Sequence, residues 1–157
     1  MLKLSALCAA AMLLVSSLSG CSTAGESGSL SSTNCSILND PYFSFKASTD
    51  KDADPRGYFD EVVPQQQSFL DHLKALEPID EGESTLIGNL VSINQVLLGI
   101  YVDEQQKRTP GKTAAQFWDD MTPSERAAWQ EAGKVAVSKS QEQVAALDAY
   151  AAYCGVK

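Results

Sequence analysis

The sequence is poor in the residue types that build catalytic, metal and nucleic-acid sites. It contains one histidine, four cysteines, and 12 Lys and Arg against 20 Asp and Glu, which gives a net charge of −8. A single imidazole cannot form a multi-histidine zinc site, and no serine lies in the G-x-S-x-G setting of a hydrolase nucleophile. The acidic excess argues against a partner with a phosphate backbone. We therefore predict no enzyme activity, no cofactor and no nucleic-acid partner.

The first residues have the pattern of a secretory signal peptide. Lys3 is the only charged residue before Glu26, and the segment from Leu4 to Leu18 is almost wholly apolar or small. This segment is shorter than the ~20 residues of a membrane-spanning helix, and serine and glycine follow it where a charged flank would be expected. We predict that residues 1–20 are removed during export.

The end of this segment contains a lipidation motif. Leu18-Ser19-Gly20-Cys21 resembles the lipobox of bacterial lipoproteins. The resemblance implies attachment of diacylglyceryl and palmitate chains at Cys21 and an anchor in the cell membrane or outer membrane, with the chain outside the cytoplasm. Two or more acyl chains make such an anchor stable. The alternative is cleavage by an ordinary signal peptidase, which would leave Cys21 as a free thiol.

The mature chain divides into a tether and a domain. Residues 21–34 are rich in serine, glycine and threonine, a composition typical of a flexible linker. We predict a folded domain over residues 35–157. Loss of Lys3 with the signal peptide makes the mature chain one charge unit more negative.

Cysteine positions predict one disulfide. Cys8 leaves with the signal peptide and the resemblance assigns Cys21 to lipid, so Cys35 and Cys154 remain in an oxidising compartment. Closing so long a loop would stabilise the fold by ~4–5 kcal/mol on the chain-entropy model. Two inert buried thiols are the alternative.

Helical periodicity begins after an irregular cap. Turn signals around Pro41 and Pro55 predict irregular structure over residues 36–57. We then predict helices over residues 64–77, with Pro64 in the first turn, and over residues 84–107. The second should be central and the most buried, because its apolar stripe recurs at helical spacing. That stripe consists of Leu86, Leu90, Ile93, Leu97 and Ile100.

Two capping boxes predict the remaining helices. Thr113 with Gln116 opens a short helix, and Thr122 with Glu125 opens a long one, with Pro123 at its first position. Two shorter helices are the alternative to one long helix, because polar residues lie near position 138. The predicted class is all-α, a small bundle of three to five helices with an irregular N-terminal cap, stapled by one disulfide.

One acidic segment has the spacing of a calcium loop. Asp50, Asp52, Asp54 and Glu61 match the carboxylate positions of an EF-hand, but Pro55 stands where the loop requires glycine with positive φ. A solvated acidic loop is therefore the favoured interpretation, and we predict no metal site. The lone His72 should point toward solvent.

An aromatic cluster is a possible contact patch. Phe117, Trp118, Met121 and Trp129 lie close in sequence among acidic residues, a composition that fits a protein interface. Packing inside the bundle is the favoured alternative.

Function is predicted from the anchor and the helical domain. We expect a non-enzymatic interaction or scaffold module of the cell envelope that binds another envelope or secreted protein. The alternative is a carrier for a small apolar ligand near Trp118 and Trp129. The Tyr153-Cys154-Gly155 tail is similar to those of uncharacterised actinobacterial helical lipoproteins. The chain is also similar in size to prophage exclusion lipoproteins, which implies a lesser alternative.

Overall fold

The computed structural model describes residues 33–44 and 55–156. These ranges contain helices and turns but no strand, so the predicted all-α class is confirmed. The elements are two 3-10 helices, η1 (Thr33–Asn39) and η2 (Pro41–Ser44), and four α-helices, α1 (Pro55–Ala75), α2 (Glu81–Lys107), α3 (Ala114–Asp120) and α4 (Pro123–Tyr153).

Several predictions fall outside the described residues. The signal peptide, the lipobox with Cys21 and nearly all of the tether lie before residue 33. Asp50, Asp52 and Asp54 lie between the two described ranges. The signal peptide, the lipidation and the interpretation of the acidic segment as a solvated loop therefore stay predictions.

Helix α1 is longer than its sequence pattern indicated. It starts at Pro55, so the predicted start at Pro64 was wrong, and Pro64 lies inside the helix. An internal proline removes one backbone hydrogen bond and costs ~3 kcal/mol. Buried side chains lie on both sides of it, with Val62 before it and Phe69 after it. Packing of these residues in the core offsets the lost bond.

Helix α2 is central, as predicted, and packs against both α1 and α4. It begins at Glu81 because the Asp80 side chain caps it, accepting the Glu83 N–H at 2.7 Å. The predicted start at residue 84 missed this cap. The buried side also differs from the predicted stripe: Leu90 and Leu97 are fully buried, whereas the other stripe residues are only half-buried.

Both predicted capping boxes are confirmed. In α3, Thr113 Oγ1 accepts the Gln116 N–H and Gln116 Oε1 accepts the Thr113 N–H. In α4, Glu125 Oε2 accepts the Thr122 N–H at 2.7 Å. Helix α4 continues unbroken from Pro123 to Tyr153, so the alternative of two shorter helices is not realised.

The predicted disulfide is present. Cys35 in η1 is bonded to Cys154, the C-cap residue of α4, with their Cα atoms 5.8 Å apart and a sequence separation of 119. The bond joins the start of the described domain to its end.

The hydrophobic core lies where η1, α1, α2 and α4 meet. Tyr42 of η2 stacks on Phe69 with ring centroids 4.7 Å apart, which brings the N-terminal segment against this core. The buried cluster consists of Ile37, Phe69, Leu73, Ile87, Leu90, Leu147 and Tyr150.

Candidate functional site

The outward side of α2 is an exposed surface without charge. The sequence from Ser84 to Val102 contains no acidic, basic or histidine residue. At 1.5 Å per residue this stretch is roughly 28 Å long. Glu81 precedes it, and Asp103 and Lys107 follow it.

The helix divides into two sides. Ile87, Leu90 and Leu97 face the core, so the residues about half a turn away must face outward. We call these exposed residues the outer face of α2: Thr85, Gly88, Asn89, Ser92, Gln95, Val96 and Gly99. Val96 is the largest apolar member and is 40% exposed.

The outer face consists mainly of small side chains. A Cβ atom placed on Gly88 or Gly99 would have no neighbouring atom within 4 Å. Both glycines therefore border open space, and neither is required by close packing inside the molecule. A partner helix could approach the α2 backbone closely at these two positions.

Within the described residues, α2 also meets the length and composition criterion for a membrane-spanning helix. Only 22% of its most apolar segment is buried. Core helices of soluble proteins meet the same criterion, so this is weak evidence for a membrane span. Most of this apolar segment of α2 therefore lies outside the core.

A polar layer joins the three long helices behind this surface. Asn94 Oδ1 accepts hydrogen bonds from Gln66 Nε2 of α1 at 2.5 Å and from Gln143 Nε2 of α4 at 2.6 Å. Asn94 Nδ2 donates to the Leu90 carbonyl. All three amide side chains are buried. This layer sets the relative position of the helices, because a shift along any helix axis would leave buried amides unpaired.

A second buried polar group lies beside the disulfide. The Glu83 carboxylate is fully buried and accepts from Tyr150 Oη at 2.9 Å, from Asn34 Nδ2 at 3.2 Å and from the Ile79 N–H at 2.8 Å. Burial and the bond to Glu83 raise the pKa of Tyr150. These bonds connect η1, the start of α2 and the end of α4.

The opposite end of α2 carries a buried ion pair. Arg108 Nη2 lies 3.4 Å from Glu104 Oε2, and each side chain is 7% exposed. The guanidinium carbon of Arg108 lies 4.9 Å from the Phe59 ring centroid and 4.6 Å from that of Phe117. Burial raises the pKa of Glu104, although the charge of Arg108 acts in the opposite direction. This cation–π arrangement holds α3 against α1.

The predicted aromatic patch is a packed cluster. Trp118 and Trp129 meet edge to face with centroids 5.6 Å apart, and the Arg126 guanidinium lies over Trp118. Phe117, Trp118, Met121 and Trp129 are all half-buried. Of the four predicted residues, Trp118 and Trp129 therefore contact each other, whereas Phe117 contacts Arg108.

His72 pairs with the N-terminal segment. Its Nδ1 lies 2.5 Å from Asp40 Oδ2, and its side chain is 56% exposed. The prediction that His72 faces solvent is therefore confirmed. An open cavity of about 370 Å³ adjoins this pair, and another of about 450 Å³ lies between α2 and α4. Both lie away from Trp118 and Trp129.

The described residues contain no group of three or more potential metal ligands from His, Cys, Asp and Glu. Glu61, the only described member of the calcium-type spacing, is an exposed residue of α1.

Sequence reasoning missed the buried polar residues. Asn94 lies between Leu90 and Leu97 on the apolar side of α2. Its position among these apolar residues is the sequence feature that indicates a buried amide. Gln66 and Gln143 had no such signal, because each becomes buried only through a partner on another helix.

Comparison of the chain with protein-family models, with curated proteins and with solved structures finds no significant match.

Proposed function

We propose that this protein is a lipid-anchored, extracytoplasmic interaction module of the cell envelope that has no enzymatic activity and docks through the outer face of α2. The observation that carries the proposal is that the outer face of α2 is exposed and lies within a charge-free stretch, Ser84 to Val102, in a chain with a net charge of −8. The cores of protein interfaces are depleted of charged residues, whereas ordinary exposed surface carries them.

Internal packing does not account for this absence of charge. The outer face contacts solvent, and a Cβ added at either of its glycines would meet no neighbouring atom within 4 Å, so close packing does not require glycine there. A helix surface that needs only solubility favours charged residues. The small, neutral side chains of the outer face therefore support a docking role.

The anchor and the overall charge restrict the partner. The lipobox-type sequence before Cys21 supports attachment to a membrane outside the cytoplasm. The chain as a whole is acidic, so a partner with a neutral contact and a basic or neutral rim fits best. Such a partner would be another envelope or secreted protein.

Crosslinking in intact cells that naturally make the protein tests the proposal. Gly88→Arg and Gly99→Arg each place a long charged side chain on the outer face, at positions where an added Cβ meets no atom within 4 Å. We expect each to lower recovery of the crosslinked partner at least tenfold while thermal stability is retained. The matched control is Gly57→Arg in α1, because a Cβ at Gly57 also has no neighbour within 4 Å.

The same cells test the anchor. A Cys21→Ser chain cannot be acylated, so it should leave the membrane fraction. Equal partner recovery from the outer-face variants and the control would contradict docking through α2. A membrane-bound Cys21→Ser chain would contradict the lipid anchor.

A further inference from the structure

The chain enters the domain through a segment that crosses two helices. We call residues 33–44, which form η1 and η2, the strap. In it, η1 packs on α4 and η2 packs on α1, whereas α1 and α4 each pack on α2. The predicted tether directly precedes the strap in sequence. The contacts of the strap therefore determine where the tether ends and the folded domain begins.

Non-covalent packing holds the strap through a few side chains. Ile37 is buried in the core, and the half-buried rings of Tyr42 and Phe43 have centroids 4.7 Å and 5.0 Å from that of Phe69. Both elements of the strap are 3-10 helices, whose hydrogen bonds have poorer geometry than those of an α-helix. Ordering the chain costs conformational entropy at every residue. This packing alone therefore gives the strap little advantage over a released segment.

The disulfide changes this balance at the tether end of the strap. Cys35 is bonded to Cys154, so η1 cannot move away from the end of α4. Such a cross-link keeps a segment at high effective concentration beside the surface that it contacts. The neighbouring Asn34 donates to the Glu83 carboxylate at 3.2 Å and to the Glu77 carbonyl at 2.8 Å. The disulfide favours these two bonds as well, because it keeps Asn34 beside its acceptors.

From these contacts we infer that the Cys35–Cys154 bond is a redox-sensitive switch that sets the length of the tether. With the bond intact, the tether ends at the strap. With the bond reduced, the strap leaves the helices and becomes part of the tether. The root-mean-square span of the tether then increases from roughly 18 Å for residues 22–32 to roughly 26 Å for residues 22–44. The lengthening rests on the lipid anchor at Cys21 proposed above, whereas release of the strap does not.

The three long helices keep their own connections when the strap is released. Asn94 of α2 bonds to Gln66 of α1 and to Gln143 of α4, and these residues lie outside the strap. The buried Glu83 carboxylate keeps its hydrogen bond from Tyr150 of α4. Release of the strap is therefore a local opening and not an unfolding of the bundle.

The reductant is a protein dithiol of the thiol–disulfide oxidoreductase class. One of its thiolates attacks a sulfur of the Cys35–Cys154 bond and forms a mixed disulfide, and its second thiol then attacks that mixed disulfide. Each displaced cysteine thiolate takes up a proton that the reductant has given up. Two electrons pass to the Cys35–Cys154 bond, and the reductant becomes a disulfide. Both cysteines are half-buried, so the bond lies near the surface.

Hydrogen–deuterium exchange of the full-length protein, measured by mass spectrometry with and without dithiothreitol, tests the release. We expect reduction to speed the exchange of strap amides roughly tenfold or more, while the amides of α2 around Asn94 keep their protection. Cys35→Ala/Cys154→Ala should show fast strap exchange in both conditions. Leu97→Ala is the matched control, because it removes a fully buried side chain of α2 and keeps the disulfide. Its strap should stay protected until dithiothreitol is added.

Neutron reflectometry of the acylated protein on a supported phosphatidylcholine bilayer tests the lengthening. The mean distance between the domain and the bilayer should increase by about 8 Å on reduction, which is the difference between the two spans of the tether. Cys35→Ala/Cys154→Ala should have the larger distance without dithiothreitol.

Three results would overturn the inference. Strap exchange that reduction leaves unchanged would show that packing alone holds the strap. Equal loss of protection in the strap and in α2 would show unfolding of the bundle. A released strap with no change in the distance of the bound domain would contradict control of the tether length. A protein that does not bind the bilayer would contradict the anchor and with it the lengthening, while the exchange result alone decides whether the strap is released.

Discussion

Glu83 shows how one buried residue connects separate parts of the chain. Its carboxylate is fully buried and receives hydrogen bonds from Tyr150, from Asn34 and from the backbone of Ile79. A buried carboxylate is tolerated only when donors satisfy it. The three donors come from the end of α4, from η1 and from the turn before α2. A change at any one of them therefore affects a junction of three elements.

Replacement of Tyr150 by Phe should destabilise the fold by ~1.5–3 kcal/mol, because the buried Glu83 carboxylate loses a donor while the ring packing is kept. Urea unfolding followed by circular dichroism measures the change. Tyr153→Phe is the matched control, since its hydroxyl bonds to exposed Asp80, and it should change stability little. If the two variants lost the same free energy of unfolding, the buried hydrogen bond to Glu83 would contribute no more to stability than the exposed bond to Asp80.

At the scale of an element, the cap at the start of α2 links the stability of the fold to pH. Asp80 caps the helix, and the hydrogen bonds from the Glu83 N–H and from Tyr153 hold the pKa of Asp80 below its ordinary value of 3.8. A carboxyl whose pKa is lowered on folding stabilises the fold above its ordinary value, and this contribution is lost as pH falls through the folded-state pKa. The raised pKa of Glu104 acts with the opposite sign, because its contribution is lost as pH rises.

Asp80→Asn should make stability less sensitive to acid, because asparagine is also a good N-cap but does not titrate. Below about pH 4, the natural chain should lose stability more steeply than the variant. Urea unfolding at a series of pH values from 2 to 6 measures the difference between the two curves. Glu104 is common to both chains and cancels in the difference. Parallel curves would contradict a lowered pKa at Asp80.

At the scale of the whole molecule, polar groups join the elements along the full length of α2. The Glu83 carboxylate lies at one end, the Asn94 layer lies in the middle, and the Glu104–Arg108 pair lies at the other end. The disulfide joins η1 to the end of α4 beside the Glu83 carboxylate. The inward side of α2 thus holds the bundle together, whereas its outer face is exposed.

Replacement of both disulfide cysteines by alanine, Cys35→Ala/Cys154→Ala, should lower the free energy of unfolding by ~4–5 kcal/mol, because the unfolded chain regains the entropy of an open loop. Guanidinium unfolding of both chains measures the difference. The natural protein under reducing conditions is the control and should match the double variant. A loss below about 1 kcal/mol would show that packing alone holds the two ends together.

Some features of this fold follow from local sequence patterns. The capping boxes at Thr113 and Thr122 predicted their helices, because a cap depends only on residues three positions apart. The disulfide between Cys35 and Cys154 was predicted because these two cysteines remain once Cys8 and Cys21 are assigned elsewhere. The start of α1 was missed, because Pro64 is locally unfavourable in a helix and only burial on both sides of it makes the longer helix stable.

The sequence alone determined the helical class, the helix caps and the charge-free stretch of α2, since each of these is a property of neighbouring residues or of residue counts. The cysteine pairing was predicted only with the help of the resemblance that assigns Cys21 to lipid. The tertiary structure decided which side of α2 is buried. It also decided which amides pair with Asn94 and that small neutral residues remain exposed. These features depend on where other helices lie, and no spacing within one helix contains that information.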